Sequence, residues 1–305
     1  MHGFEYKTNP YDHQRTALEA SWAEEYYALF MEMGTGKTKV AIDTMAVLFE
    51  AGKIDSALVV APKGVYDNWV KNEIPAHLPD RINRNILRWT PAKTKRMETD
   101  LKDFIVGDYN GIKIFVINIE AFSTSRGTEA ALAFLYQNPN NIVVVDESTT
   151  IKNRKAARTK NIVRLQEYSK YRRILTGSPI TKSPMDLFSQ CDFLKNKALG
   201  FNSYFAFQAR YANIQQRTMG HRSFQQIVGY RRLEELSEKL DLFSNRVLKE
   251  DCLDLPEKVY VRREIEFTPE QKKLYTQMKK LALAKLESGE LATTASVLTQ
   301  IMRLQ

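Results

Sequence analysis

The stretch "FMEMGTGKT" (Phe30–Thr38) sets two glycines, a lysine and a threonine at the head of a helix-like segment. Gly34 and Gly36 allow the backbone to fold tightly around an anion, so that amide N–H groups and a helix N-terminus face it. Lys37 supplies a point charge to the β and γ phosphates of a nucleotide, and the Thr38 hydroxyl can ligate Mg²⁺. Met31 stands where the common phosphate-loop string has its first glycine, so the match is to the shorter G-x-G-K-T form. A second stretch, "NIVVVDEST" (Asn141–Thr149), runs four apolar residues straight into Asp146 and Glu147. Burying adjacent carboxylates is costly, and a cation with a water beside it would offset that cost. Asp146, expected at the end of a strand neighbouring the phosphate loop, then shares the metal with Thr38. Glu147 is placed to take a proton from a water attacking the γ phosphate.

The elements that must position these groups repeat one pattern: an apolar run, a polar or glycine turn, then helix-like sequence. The runs are Tyr26–Phe30, Ala57–Ala61, Lys113–Asn118, Ile142–Val145 and Arg173–Thr176. Continuous rather than alternating hydrophobicity predicts strands buried on both faces of a parallel sheet. The fold class is α/β and doubly wound, with ligands at the C-terminal edge of the strands. From about Met185 the pattern changes to helix-like segments and basic loops, with no buried strand expected until "KVYVRREIEF" (Lys258–Phe267). There Val259, Val261, Ile265 and Phe267 alternate as a strand would. "TPEQ" follows as a helix start, with Thr268 as cap and Gln271 closing a capping box. A further helix is expected from Leu291 through "TQIMRLQ", and the chain is expected to end inside a second domain.

At 305 residues, with 43% hydrophobic and 27% charged residues, the composition is that of a globular protein with ample core. No apolar run approaches a membrane span, and Cys191 and Cys252 have no metal-ligand spacing; a reducing, cytoplasmic setting is expected. The net charge of +9 is unevenly spread. Lys152 to Arg173 holds nine Lys or Arg against one acid, Glu167, and no acid lies between Asp192 and Glu234. Basic stripes interleaved with aromatics suit a nucleic-acid backbone, and equally a solvated face over an aromatic core.

Against this background, "DESTTIKN" (Asp146–Asn153) resembles the D-E-x-H-x-x-K-N signature of the Snf family of helicase-like ATPases, which remodel chromatin or translocate on duplex DNA. "MEMGTGKT" is similar to that family's phosphate loop, "VVAPKGVYDNW" (Val59–Trp69) to its next motif, "VINIEAF" (Val116–Phe122) to the one after, and "LTGSPI" (Leu175–Ile180) to its L-T-G-T-P segment. "NPYDHQ" (Asn9–Gln14), "MDLFSQCDFL" and "LPEK…TPEQKKLY" continue the match in family order.

The resemblance implies a RecA-like P-loop lobe that uses ATP and Mg²⁺. Gln14 would read the adenine edge, and Met33, Gly34, Thr35, Gly36, Lys37 and Thr38 would hold phosphates and metal. Lys37, Asp146 and Glu147 would be the catalytic set, with Thr38 and Asp146 on the metal. Thr149, Thr176 and Ser178 would couple the γ phosphate to movement between lobes. Lys63, Gly64, Lys152, Asn153 and Arg154 would contact DNA phosphates, while Trp69 is read as packing. Thr149 departs from the family's histidine, and Ser178 from its threonine. The expected organisation is an ATP-binding lobe over 1–190, a basic helical protrusion over 191–250, and a linker with the beginning of a second lobe over 251–305. The motifs of that second lobe, including its arginines, are not found before Gln305. A double-stranded DNA translocase is therefore the leading expectation, with weak ATP hydrolysis by this chain in isolation. A nucleotide-gated DNA-binding module, an RNA helicase and a small-molecule kinase are the rivals.

Overall fold

Five of the apolar runs become the central strands of one parallel sheet. The structure, a computed structural model, describes residues 3–91, 94–219, 222–252, 261 and 266–287. The chain divides into two units, Met1–Leu255 and Pro256–Gln305.

In the first unit, α1 (Asp12–Ser21) leads into β1 (Tyr26–Met31), and α2 (Lys37–Glu50) follows the glycine loop. Next come β2 (Ser56–Ala61), α3 (Tyr66–Asn68), a π-helical turn over Trp69–Glu73, and α4 (Ile74–His77). β3 (Arg84–Arg88), α5 (Lys95–Val106), β4 (Ile112–Asn118), α6 (Ser125–Gln137) and β5 (Asn141–Asp146) continue the alternation. It closes with α7 (Ala157–Arg164), β6 (Tyr171–Leu175) and α8 (Leu187–Leu194).

The sheet order is β3-β4-β2-β5-β6-β1-β9, where β9 is Ser244–Val247. Every pairing in it is parallel. Alternate residues of each central strand enter opposite cores. Phe30, Val60, Ile117, Val145 and Ile174 pack on one side. Leu29, Met31, Val59, Val116, Val144 and Leu175 pack on the other, with α1 and α2. Burial on both faces is why these runs lack alternation.

β6 carries the exception, Arg173, whose side chain is fully buried. Its guanidinium donates to the carbonyls of Ser21 and Glu24, just past the last turn of α1. Burial lowers its pKa to about 9, so it stays cationic at neutral pH and pins α1 to the sheet.

Residues 191–250, expected to be helical, contain more than helices. After α9 (Tyr204–Tyr211) the chain forms an antiparallel ribbon of β7 (Ala212–Met219) and β8 (Arg222–Tyr230). α10 (Leu233–Asp241) then returns to β9, which pairs with β1 and buries Val247, and α11 (Lys249–Cys252) follows. The absence of a buried strand expected here is thus corrected. The ribbon escaped detection because Asn213–Thr218 and Ser223–Gln226 are exposed on both faces, leaving no apolar alternation. β9 escaped because only one of its four residues is apolar.

In the second unit the described helix is α12 (Pro269–Glu287). Its capping box is formed as read: the Thr268 N–H donates to Gln271 Oε1 at 3.0 Å, and the Gln271 N–H to Thr268 Oγ1 at 3.3 Å. The expected strand over Lys258–Phe267 lies largely outside the described residues, and the helix from Leu291 wholly so.

Candidate active site and nucleic-acid interface

The glycine loop turns at two left-handed residues, Gly34 and Gly36, both at φ +85°. Gly36 is required twice over, because a Cβ there would lie 2.1 Å from Gln14 Nε2. Gly36 also stands at the N-cap of α2, so the first amides of that helix point into the turn. Thr35 is buried and donates its hydroxyl to the Glu32 carbonyl at 2.8 Å, fixing the loop from within. Met33 is exposed at the loop's crest, and Thr38 is half-buried on the first turn of α2.

β6 runs between β5 and β1, so Asp146 ends a strand one removed from that of the glycine loop. Lys37 nevertheless reaches across, with its Nζ 3.6 Å from Glu147 Oε1. Asp146 is buried and held at both oxygens: Trp69 Nε1 donates to Oδ2 at 2.9 Å, and the Glu147 N–H to Oδ1 at 2.9 Å. Burial raises its pKa, and the indole hydrogen bond works against that rise. Glu147 sits at φ +48°, a left-handed backbone for a residue with a side chain. Such strain costs on the order of 1 kcal/mol and concentrates at functional sites. It turns the carboxylate out of the strand toward Lys37.

The position of β6 explains the coupling residues. Thr176 follows its last residue, directly between the two motifs. Its buried hydroxyl donates to Glu147 Oε2 at 3.5 Å and accepts from the Ser178 N–H at 3.2 Å. Gly177 lies against the glycine loop, where a Cβ would be 3.1 Å from the Met33 nitrogen. A link of the kind expected of Thr149 is made by the residue just before it, Ser148. Ser148 Oγ donates to Gln190 Oε1 at 2.7 Å, and Gln190 Nε2 donates to the Pro179 carbonyl at 2.8 Å. Both side chains are fully buried.

Gln14 does not stand free for an adenine edge. It is buried, with Oε1 accepting from the Tyr11 N–H at 3.1 Å and Nε2 donating to the Thr35 carbonyl at 3.0 Å. Its amide therefore closes the α1 capping box and clasps the glycine loop. His13 joins it, Nε2 donating to the same carbonyl at 2.8 Å, with its ring stacked on Tyr11.

Three contributors were missed in the sequence. Trp69 does pack, as read, but it also orients Asp146. Lys249 lies over the loop: a Cβ on Gly34 would be 3.5 Å from its Nζ. Its N–H donates to Glu32 Oε2 at 2.9 Å. Nothing in "RVLKED" signals this, since only the pairing of β9 with β1 brings it there. Gln190 could have been found as a polar residue in the apolar helix "LFSQCDFL".

The basic residues cluster separately. Lys152, Asn153 and Arg154 line a cleft of about 380 Å³ with Tyr204 and Phe205. Lys152 donates to Thr181 Oγ1, and the Arg154 guanidinium lies 4.3 Å from the Tyr204 ring centre and 5.1 Å from that of Phe205. Lys63 and Gly64 are exposed at the turn after β2. The Lys63 amide, expected to face phosphate, donates to Glu120 Oε2 at 3.2 Å, so an acid currently occupies that donor.

The residues present fit a magnesium nucleotide. The glycine turn leaves a cradle without Cβ atoms, two lysines face it, and the Thr38 hydroxyl and Asp146 carboxylate are hard oxygen donors.

A fold and site of this kind define a P-loop nucleotide-binding lobe, and comparison with known proteins narrows the class. The SNF2-related domain matches residues 13–305, and the chain belongs to that family. It is 27% identical over 280 residues to the mouse DNA annealing helicase and endonuclease ZRANB3, covering 89% of this chain and 24% of the relative. It is 25% identical over 280 residues to an uncharacterized ATP-dependent helicase of Mycoplasma genitalium, covering 90% and 24%. The chain thus spans about a quarter of the length of these curated relatives. Its fold is similar to the Sulfolobus solfataricus SWI2/SNF2 ATPase core in complex with dsDNA, at TM-score 0.60 and 22% identity, covering 100% of this chain and 59% of that one. Among the described residues no helix is long and apolar enough to cross a membrane.

Proposed function

We propose that this chain is the ATP-binding lobe of a DNA-dependent ATPase that translocates on double-stranded DNA. The observation that carries the reading is the approach of Lys37 to Glu147 at 3.6 Å beside the buried Asp146. It joins the two motifs across an intervening strand. Magnesium, when bound, would neutralise phosphate charge and polarise the transferred group. Thr38 and Asp146 would hold it. Lys37 and the first amides of α2 orient the phosphates, and Lys249 adds a second positive charge above the loop. Glu147, turned out by its left-handed backbone, accepts the proton of the attacking water. Thr176 shares a hydrogen bond with Glu147 and lies one residue from the loop, so loss of the γ phosphate is felt along Thr176–Pro179 and, through Gln190, at Ser148.

Turnover calls for arginines from a second lobe in cis, of which residues 251–305 are proposed as linker and beginning. An arginine of that kind is worth about 10³–10⁵ in rate. Residues 1–190 form the nucleotide lobe and 191–250 a basic protrusion in this scheme. Lys152, Asn153 and Arg154, with Lys63 and Gly64, grip backbone phosphates, so affinity depends on salt and little on sequence. The DNA-bound relative of similar fold supports duplex as the track.

The experiment is ATP turnover by the whole protein with no nucleic acid, duplex DNA or RNA. Stimulation by duplex is expected. Stimulation by RNA alone would replace the translocase reading with an RNA helicase.

A further inference from the structure

The β7–β8 ribbon has no part in the nucleotide site, and neither of its faces is covered from Asn213 to Thr218 or from Ser223 to Gln226. An isolated two-stranded ribbon is marginally stable in water, so something must hold this one or use it. Its root is held firmly. The Arg231 N–H donates to the Tyr211 carbonyl at 2.9 Å, and Arg231 Nη2 donates to the Ala209 carbonyl at 2.7 Å. Buried Tyr211 donates its hydroxyl to Glu235 Oε1 at 3.0 Å, and Arg210 pairs with the same carboxylate. Beyond the root the ribbon is free to meet a partner.

Its chemistry selects that partner. Between Asp192 and Glu234 there is no acid. Arg217 stands opposite Phe224, with Gln215 opposite Gln226 on the same face; Arg222 occupies the register position opposite Met219, next to the turn. Arginine and amide donors beside an exposed aromatic suit phosphates and sugars. Of the exposed apolar side chains on β8, Val228 and Tyr230 lie toward the root and Phe224 stands in the outer half, beside Arg217. Location agrees. α9 leads directly into β7, and its first two residues, Tyr204 and Phe205, carry the stacked Arg154. Eight helical residues span about 12 Å, so the ribbon begins within about that distance of the Arg154 stack. The eight residues of β7 then extend it by about 25 Å, and a major groove about 12 Å wide admits a two-stranded ribbon.

We propose that the β7–β8 ribbon is a second, sequence-independent contact for duplex DNA, with Arg217 on a backbone phosphate. The proposal rests on the duplex-DNA reading above and extends it to a surface outside the motifs.

The test is fluorescence anisotropy of a labelled 30-base-pair duplex of mixed sequence, titrated with the protein between 50 and 200 mM salt. Wild type, R217Q and K152Q/R154Q are compared, with binding of a fluorescent ATP analogue as the fold control. Loss of one phosphate contact lowers the salt slope by about 1. R217Q should show that loss, with binding weakened about threefold at the lowest salt, equally on a second sequence and with nucleotide binding unchanged. A wild-type slope for R217Q, alongside a reduced one for K152Q/R154Q, overturns the ribbon contact and leaves the motor reading intact. Failure of the wild type to bind duplex overturns both. Unchanged DNA binding together with loss of self-association in sedimentation velocity would make the ribbon a strand-pairing edge instead, and would overturn the proposal too.

Discussion

The indole N–H of Trp69 donates to Asp146 Oδ2 at 2.9 Å, and both side chains are buried. Trp69 opens the π-helical turn that follows the exposed Lys63–Gly64 turn and α3. One residue therefore joins a surface assigned to DNA with the carboxylate assigned to metal. Trp69→Phe keeps the ring and removes the donor. A hydrogen bond to a charged group contributes about 1.5–3 kcal/mol, so the variant should unfold at lower denaturant. Its magnesium-dependent affinity for nucleotide should fall while metal-free affinity holds. Calorimetric titration with and without Mg²⁺ separates the two.

The same pair sets a pH dependence. Burial raises the pKa of Asp146, and the Trp69 hydrogen bond opposes the rise. A carboxyl with a raised native pKa favours folding below its unfolded value and loses that contribution as pH rises through the native one. Metal binding has the opposite sense, since only the carboxylate is a ligand. Magnesium-dependent nucleotide binding should therefore be lost, on acidification, above the pH range of a free aspartate. In Trp69→Phe the midpoint should move higher still. A midpoint unchanged by the substitution would remove Trp69 from the site.

Gly36 and Gln14 form a second dependent pair. Gly36→Ala is strained at φ +85° and drives its methyl into the Gln14 amide. It should abolish nucleotide binding and lower stability by about 1–3 kcal/mol. Gly36→Ala with Gln14→Ala removes the collision but not the backbone strain, so recovery should be partial in a thermal melt.

Lys249 is expected to act through charge alone. Lys249→Gln should weaken nucleotide binding by about tenfold, close to 1.4 kcal/mol, and leave the melting temperature unchanged. Equilibrium binding of a fluorescent nucleotide at two salt concentrations checks it.

Much of this was legible in the chain. The central strands were visible because burial on both faces writes continuous apolar runs, and the glycine loop because left-handed turns before a helix restrict residue choice. The acid pair announced itself by ending such a run. Contacts made between distant segments were not legible. The clasp of Gln14 on Thr35, the Ser148–Gln190 bridge and the placement of Lys249 depend on which strands lie side by side, and no local pattern encodes strand order. Edge strands were missed for a related reason: β3, β9 and the ribbon bury little, so their sequences stay polar. The Snf-like motifs are local strings and so declare the family, whereas the hydrogen bond of Trp69 to Asp146 and the link through Ser148 belong to the folded geometry.

Thr38 and Asp146 are proposed to share one metal at the phosphates of one nucleotide. Crystals grown with Mn²⁺ and a non-hydrolysable ATP analogue test it through the anomalous signal of the metal. A single peak should lie about 2.0–2.2 Å from Thr38 Oγ1, as for an octahedral hard cation, and within direct or one-water reach of the Asp146 carboxylate. Nucleotide bound in the glycine loop with the metal away from both side chains would refute a metal shared by Thr38 and Asp146.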